Sequence, residues 1–304
     1  MGDGLMEVIR FVDEKDLVRI GVREQGETNA RLIPVDALAE LFTYPAEKIE
    51  SIIASGATSG TAVEVVRLLP PVDRFTEVWA AGVTYKRSRA AREEESDQPD
   101  VYSRVYEAAR PELFFKSVAW RVVATGEPIG VRSDSTINAP EPEIALVCNA
   151  FGEIVGVTIC DDVSSRSIEG ENPLYLPQAK VYLGSCAVGP GFIPLSQIAD
   201  IYDLDISVSV LRNGEAIWGG TTSTREMHRT FEDLVKYLFL HMSFPEGVIL
   251  STGTGLVPNL DFNLSTGDVV DVGIAGIGNL INPVLSADHA NFDWLTFSLR
   301  RVAP

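Results

Sequence analysis

The stretch 139-APEPEIALV-147 holds two glutamates, Glu141 and Glu143, each directly after a proline and just ahead of an apolar run. In a strand, residues i and i+2 point to the same face, so these two carboxylates project together. Pro140 and Pro142 keep the backbone extended and offer no N–H donor, which marks the start or an edge of a strand. The run 144-IALV-147 carries that strand into a core. Two half-buried carboxylates within about 7 Å repel one another unless positive charge lies between them. Simple solvation of both fits poorly with the apolar residues that follow at once.

The chain then turns at 150-AFG-152 and runs through 154-IVGVTIC-160 to a second acidic pair, Asp161 and Asp162. Antiparallel pairing of 143–149 with 154–160 returns the end of the second strand to the start of the first. Asp162 is thereby expected beside Glu141 and Glu143. Alternation turns Asp161 the other way, into a structural role. Three carboxylates with no His or Cys select a hard divalent ion: Mg²⁺, with Mn²⁺ or Ca²⁺ as substitutes.

Around this hairpin the pattern is β-rich. Leu204, Ile206, Val208 and Val210 alternate along one strand, Asn213-Gly214 forms a turn, and 215-EAIWGG-220 returns. Further strands are predicted at 247-GVILST-252, 268-DVVDVGI-274 and 279-NLINPVL-285. One amphipathic helix is clear in 230-TFEDLVKYLFLHM-242. Thr230 caps it, and Phe231, Leu234, Val235 and Leu238 form its core stripe. There is no regular βαβ alternation, which disfavours a Rossmann-type sheet, and no internal repeat is visible. The glycines of 273-GIAGIGN-279 lie between strands and open no helix, and 251-STGTG-255 lacks the ending of a phosphate loop. The expected class is α+β: a β-rich catalytic domain over 71–304 with a small N-terminal α/β domain over 1–70, divided at Pro70-Pro71. The charged tract 86-KRSRAAREEESDQPD-100 reads as a solvated face or loop, placed where a lid can cover a pocket.

Bulk composition narrows the function classes. The net charge of −18, from 43 acids against 25 bases, repels phosphate backbones and argues against nucleic acid as a partner. No apolar run approaches ~20 residues, and the first residues lack a signal-peptide core, so no membrane partner and a cytoplasmic location are expected. Cys148, Cys160 and Cys186 sit among apolar neighbours without a CxxC pair and read as buried free thiols.

The order PEPE, hairpin, DDVSSR and then a lysine resembles the fumarylacetoacetate hydrolase superfamily over roughly residues 75–285. The closing segments 245-PEGVILSTGTG-255 and 267-GDVVDVGIAGIGNLINPV-284 are similar too. More narrowly, 111-PELFFK-116, 132-RSDS-135 and 169-EGENPLYLPQAKVYLGSCAVGP-190 resemble the 2-keto-3-deoxy-D-arabinonate dehydratases within it. The resemblance implies a mixed β-sheet roll with Glu141, Glu143 and Asp162 as Mg²⁺ ligands and Glu112 and Lys180 as the acid/base pair. It also implies a 2-keto acid substrate and a homodimer or homotetramer. Dehydration of a 2-keto-3-deoxy sugar acid then gives 2,5-dioxopentanoate, with Lys180 taking the C3 proton and Glu112 protonating the C4 hydroxyl; the two roles are also open to exchange.

The superfamily also contains hydrolases that cleave acylpyruvates or related diketo acids, and these resemble one another in a His and a Glu shortly after the first strand. The matching stretch 82-GVTYKRSRAAREEE-95 has no histidine; His228, His241 and His289 all lie elsewhere. That favours elimination over hydrolysis. A non-catalytic protein with a structural Ca²⁺ is the remaining alternative. For the substrate, Thr84, Tyr85 and Arg89 from this stretch and Thr252 and Thr254 from 251-STGT-254 are the expected contacts, Arg89 by reading a carboxylate.

Overall fold

In the computed structural model, which describes residues 5–95 and 99–297, the hairpin around Glu141 and Glu143 lies inside the larger of two main sheets. Strands β1 (Met6–Val12), β2 (Val18–Glu24), β3 (Asn29–Leu32), β4 (Ala62–Glu64) and β5 (Arg67–Leu69) come first, with helices α1 (Leu38–Leu41) and α2 (Ala46–Ser59) between β3 and β4. β6 (Glu77–Gly82) and β7 (Glu112–Val118) are joined through α3 (Lys86–Glu95) and α4 (Pro99–Glu107). Next come β8 (Ile129–Val131), β9 (Asn138–Ala139), β10 (Pro142–Cys148), β11 (Ile154–Asp162) and β12 (Ser164–Ser165). Helices α5 (Arg166–Glu171) and α6 (Leu176–Lys180) lead into β13 (Cys186–Pro194). β14 (Asp205–Arg212), β15 (Glu215–Ser223), α7 (Phe231–Phe239), β16 (Val248–Ser251), β17 (Val269–Ile274), β18 (Gly278–Ser286) and α8 (His289–Phe297) complete the order.

The larger sheet runs β4-β3-β2-β1-β13-β11-β10-β16-β6-β7, with β5 also paired to β1. β16 and β6 are parallel, which makes the sheet mixed. The smaller sheet runs β15-β14-β17-β18-β8. Every residue of β10 is buried, because the strand is covered on both faces. Ile144 and Leu146 pack toward the smaller sheet with Ile206, Val208, Val270 and Val272. Ala145 and Val147 face the other way, toward Leu38, Phe42, Ile49 and Val188. Period-2 alternation thus feeds two cores from one strand.

Local chemistry fixes the register that matters. The turn between β10 and β11 is held by Asn149, whose Oδ1 accepts the backbone N–H groups of Phe151 and Glu153, each at 3.0 Å. Glu143 then faces Cys160 across the pair, and the Asp162 N–H donates to the Glu141 carbonyl at 3.0 Å. The Asn213-Gly214 turn has φ of +54° and +82°, the left-handed pair that suits a tight hairpin. In α7 the Thr230 hydroxyl accepts from the Asp233 N–H, and Phe231, Leu234, Val235 and Leu238 are buried as the stripe predicts.

One expectation meets a different structure. The tract from Lys86 onward is not a loop: residues 86–95 and 99–107 are helical, while 96–98 lie outside the described residues. Its charge is solvated on one side only, because Arg92 and Ser88 turn inward. At the boundary placed near residue 70, the sheet runs on without a break. Val8 of β1 faces Phe192 of β13, and Val8, Phe42 and Ile49 share one apolar cluster with Val147 and Ile249. The three cysteines are free and buried.

Candidate active site

Cross-strand pairing places Glu141, Glu143, Cys160 and Asp162 on one face of the hairpin, at the end where β10 begins. Glu141, Glu143 and Asp162 are each at most 4% exposed and can bring one oxygen apiece to within 4.8 Å of one another. Asp161 points away and accepts the Glu141 backbone N–H at 2.9 Å. Its carboxyl is pushed up to about 7, chiefly by burial. Burial and the neighbouring charges of Asp162 and Glu141 raise Glu143 well above the usual carboxylate range. Such a concentration of buried acid calls for cations.

The chain supplies three. Lys180, at the end of α6, is 2% exposed and sends Nζ to Glu141 Oε2 at 2.6 Å, Asp162 Oδ2 at 3.1 Å and Ser164 Oγ at 2.6 Å. Burial pulls its ammonium down, but the charges of Asp162 and Glu141 outweigh that and hold it above the ordinary lysine value. Lys116 on β7, with no exposure, reaches Asp162 Oδ1 at 2.5 Å. Burial raises Asp162, yet the two lysines outweigh it and hold that carboxyl below its usual range. Arg92 of α3 bonds Glu141 Oε1 at 2.9 Å and pairs with the buried Glu169 of α5.

Glu112 opens β7 opposite Gly82, whose missing side chain leaves room for its carboxyl. A Cβ there would lie 2.1 Å from Glu112 Oε2. Burial, reinforced by the charge of Glu169, pushes Glu112 up to about 7. Phe114 lines the same cavity, its ring 5.6 Å from Lys180 Nζ, whereas Phe115 packs on Trp79. The cavity enclosed by Glu112, the three carboxylates, Lys180 and Arg92 is about 20 Å³, space for a water or a bare cation. Among the carboxylates, a hard, oxygen-liganded divalent ion fits this donor set.

Of the expected substrate contacts, Thr254 lines the cavity. Of the other four, Thr84, Thr252 and Arg89 have partners within the protein, whereas the buried Tyr85 hydroxyl has no hydrogen-bond partner among the described residues. Thr84 Oγ1 donates to the Thr252 carbonyl at 2.6 Å, and Thr252 Oγ1 to the Ile144 carbonyl at 2.8 Å. Tyr85 is fully buried and packs against Gly255. Arg89 pairs with Glu93 and Glu107 and stacks on Tyr106 at 4.6 Å. Arg92, one turn further along α3, is the arginine that meets the carboxylates. Sequence reading also passed over Lys116, Glu169, Ser164 and Ser251. The i, i+3 spacing from Arg89 to Arg92 is the signal that would have found one of them. His228 stacks on Tyr106 at 4.3 Å and is not among the cavity-lining residues.

Comparison with known proteins agrees with this geometry. The chain is 52% identical over 214 residues to a probable 2-keto-3-deoxyxylonate dehydratase of Haloferax volcanii, covering 70% of this chain and 73% of that protein. It is 44% identical over 223 residues to the 2-dehydro-3-deoxy-D-arabinonate dehydratase of Saccharolobus solfataricus, covering 72% and 74%. A solved structure of 2-keto-3-deoxy-D-arabinonate dehydratase complexed with magnesium and 2,5-dioxopentanoate superimposes with a TM-score of 0.79 at 34% identity, over 92% of this chain and 99% of that one. The model of the fumarylacetoacetate (FAA) hydrolase C-terminal family matches residues 77–285, and the chain belongs to that family.

Proposed function

We propose that this chain is a Mg²⁺-dependent hydro-lyase that dehydrates a 2-keto-3-deoxy sugar acid of the arabinonate type to 2,5-dioxopentanoate. The observation that carries it is the buried cluster of Glu141, Glu143 and Asp162 with Lys180 and Glu112 on the same cavity. It is supported by relatives named as dehydratases and by a similar structure holding magnesium and 2,5-dioxopentanoate. Bound at these carboxylates, Mg²⁺ supplies a Lewis acid for the carbonyl of a 2-keto acid.

The side chains do the rest. Lys180 takes the C3 proton. Without a metal its ammonium is held by Asp162 and Glu141; once those carboxylates are engaged elsewhere their hold weakens, and the neutral amine becomes accessible. Glu112, kept protonated by its setting, gives its proton to the C4 hydroxyl as water leaves, and the resulting 3-ene shifts a proton from C5 to C3 through the enol to give the C5 aldehyde. Arg92 reaches into the cavity from α3 and is placed to meet an anionic substrate group. The cavity has no histidine among its lining residues, which favours elimination over hydrolysis.

Lys180→Met tests the assignment. Turnover is expected to fall by about 10²–10⁴-fold while Mg²⁺ still binds, at least as tightly as to wild type; retained turnover removes Lys180 as the base. Among the described residues no helix is long and apolar enough to cross a membrane. We further propose a homodimer or homotetramer, with residues 1–70 as a packing or assembly module; light scattering reads the mass.

A further inference from the structure

How many oxygens can each carboxylate offer a metal? Glu143 Oε2 already accepts from Ser251 Oγ at 2.6 Å and from the Gly253 backbone N–H at 2.7 Å. Asp162 Oδ1 lies 2.5 Å from Lys116 Nζ, with both side chains at most 1% exposed. Lys116 also donates to the Lys180 carbonyl at 2.6 Å and the Val163 carbonyl at 3.1 Å. Two carbonyls accept its protons and ion pairing with Asp162 Oδ1 completes its surroundings, so the ammonium is fixed in place. The side chain is aimed there by a bulge: Val78 faces Ser117 and Trp79 faces Phe115, so Lys116 is the extra residue of β7. The ammonium has no other place to go, because an unpaired buried charge is strongly disfavoured.

We propose that Lys116 sets the metal preference of this site. By holding Asp162 Oδ1 it confines Asp162 to one donor oxygen, Oδ2, just as Ser251 and Gly253 confine Glu143 to Oε1. Mg²⁺ takes six single oxygens in near-octahedral geometry, whereas Ca²⁺ takes six to eight and often draws both oxygens of a carboxylate. Arg92 likewise holds Glu141 Oε1, and once Lys180 yields Glu141 Oε2 and Asp162 Oδ2 the site offers one oxygen per acid, which suits Mg²⁺ and denies Ca²⁺ its second contact. Lys116 thus acts through Asp162 as a positioning residue. The inference rests on the metal reading under Proposed function.

The test is calorimetric titration of the full chain with MgCl₂ and, separately, CaCl₂, for wild type and Lys116→Met. Loss of one positive charge strengthens both ions alike, so the ratio of the two dissociation constants isolates the freed oxygen. Wild type is expected to prefer Mg²⁺, and Lys116→Met to move the ratio toward Ca²⁺ by tenfold or more. Ser251→Ala, which leaves the Gly253 donor in place, is expected to move it less and in the same direction. A folded Lys116→Met protein whose ratio stays within threefold of wild type overturns the proposal, as does a wild type that prefers Ca²⁺. Where Lys116→Met is not recovered folded, Lys116→Gln takes its place; failure of both assigns Lys116 to the fold and overturns the proposal. A wild type that binds neither ion overturns the metal reading as well, whereas binding with an unmoved ratio defeats this inference alone.

Discussion

At Glu112 the surroundings set the chemistry. Burial, with the charge of Glu169 behind it, pushes the carboxyl up to about 7. A raised carboxylate pKa means the protonated form dominates below that value, and a general acid must be protonated to act. Activity is therefore expected to hold at lower pH and to fall as pH rises through about 7. Glu112→Gln should abolish that limb and lower kcat by about 10²–10⁴-fold; a pH–rate profile checks both. Its neighbour Gly82 provides a gentler probe. A Cβ on residue 82 would meet the Glu112 carboxyl rather than backbone, so the carboxyl can yield while the strand stays in place. Gly82→Ala is expected to cost roughly 10²-fold in kcat through misplacement of the acid, with little change in Tm. An equal loss of stability would mean the contact belongs to the fold.

At the scale of elements, α3 covers one side of the cavity through Ser88 and Arg92, and its space of about 20 Å³ is far too small for a five-carbon acid. Admitting one requires the cavity to open, and Arg92 is the tie that holds α3 over it, through Glu141 and Glu169. Amide exchange in α3 is expected to slow several-fold when Mg²⁺ and product are both present; protection unchanged by ligand would contradict a mobile cover. Much of this architecture was legible beforehand. The convergence of Glu141, Glu143 and Asp162 follows from a period of two and one short turn, and both are visible in the residues. The tract after Lys86 was legible as a cover over a pocket, but a charged run does not show that it is helical or which single arginine faces inward. Lys116 was invisible for a different reason: a bulge has no signature in sequence, yet it decides where that side chain points. Sequence likewise does not reveal that Thr84 and Thr252 give their hydroxyl protons to backbone carbonyls or that Tyr85 is fully buried.

For the molecule as a whole, a net charge of −18 sits oddly with a substrate that is itself an anion. The structure concentrates its compensation locally. Lys116, Lys180 and Arg92 converge on the carboxylates, and a divalent ion added to them would turn the cavity attractive to a 2-keto acid. The two-sided burial of β10 serves the same end, because it keeps the carboxylates dry enough for those charges to count. The measurement that tests this most directly is product analysis by NMR. The protein is incubated with 2-keto-3-deoxy-D-arabinonate, and in parallel with an acylpyruvate, each with Mg²⁺ and again with EDTA. The expected result is 2,5-dioxopentanoate from the sugar acid with Mg²⁺ alone. Turnover that survives EDTA, or cleavage of the acylpyruvate in place of dehydration, would contradict it.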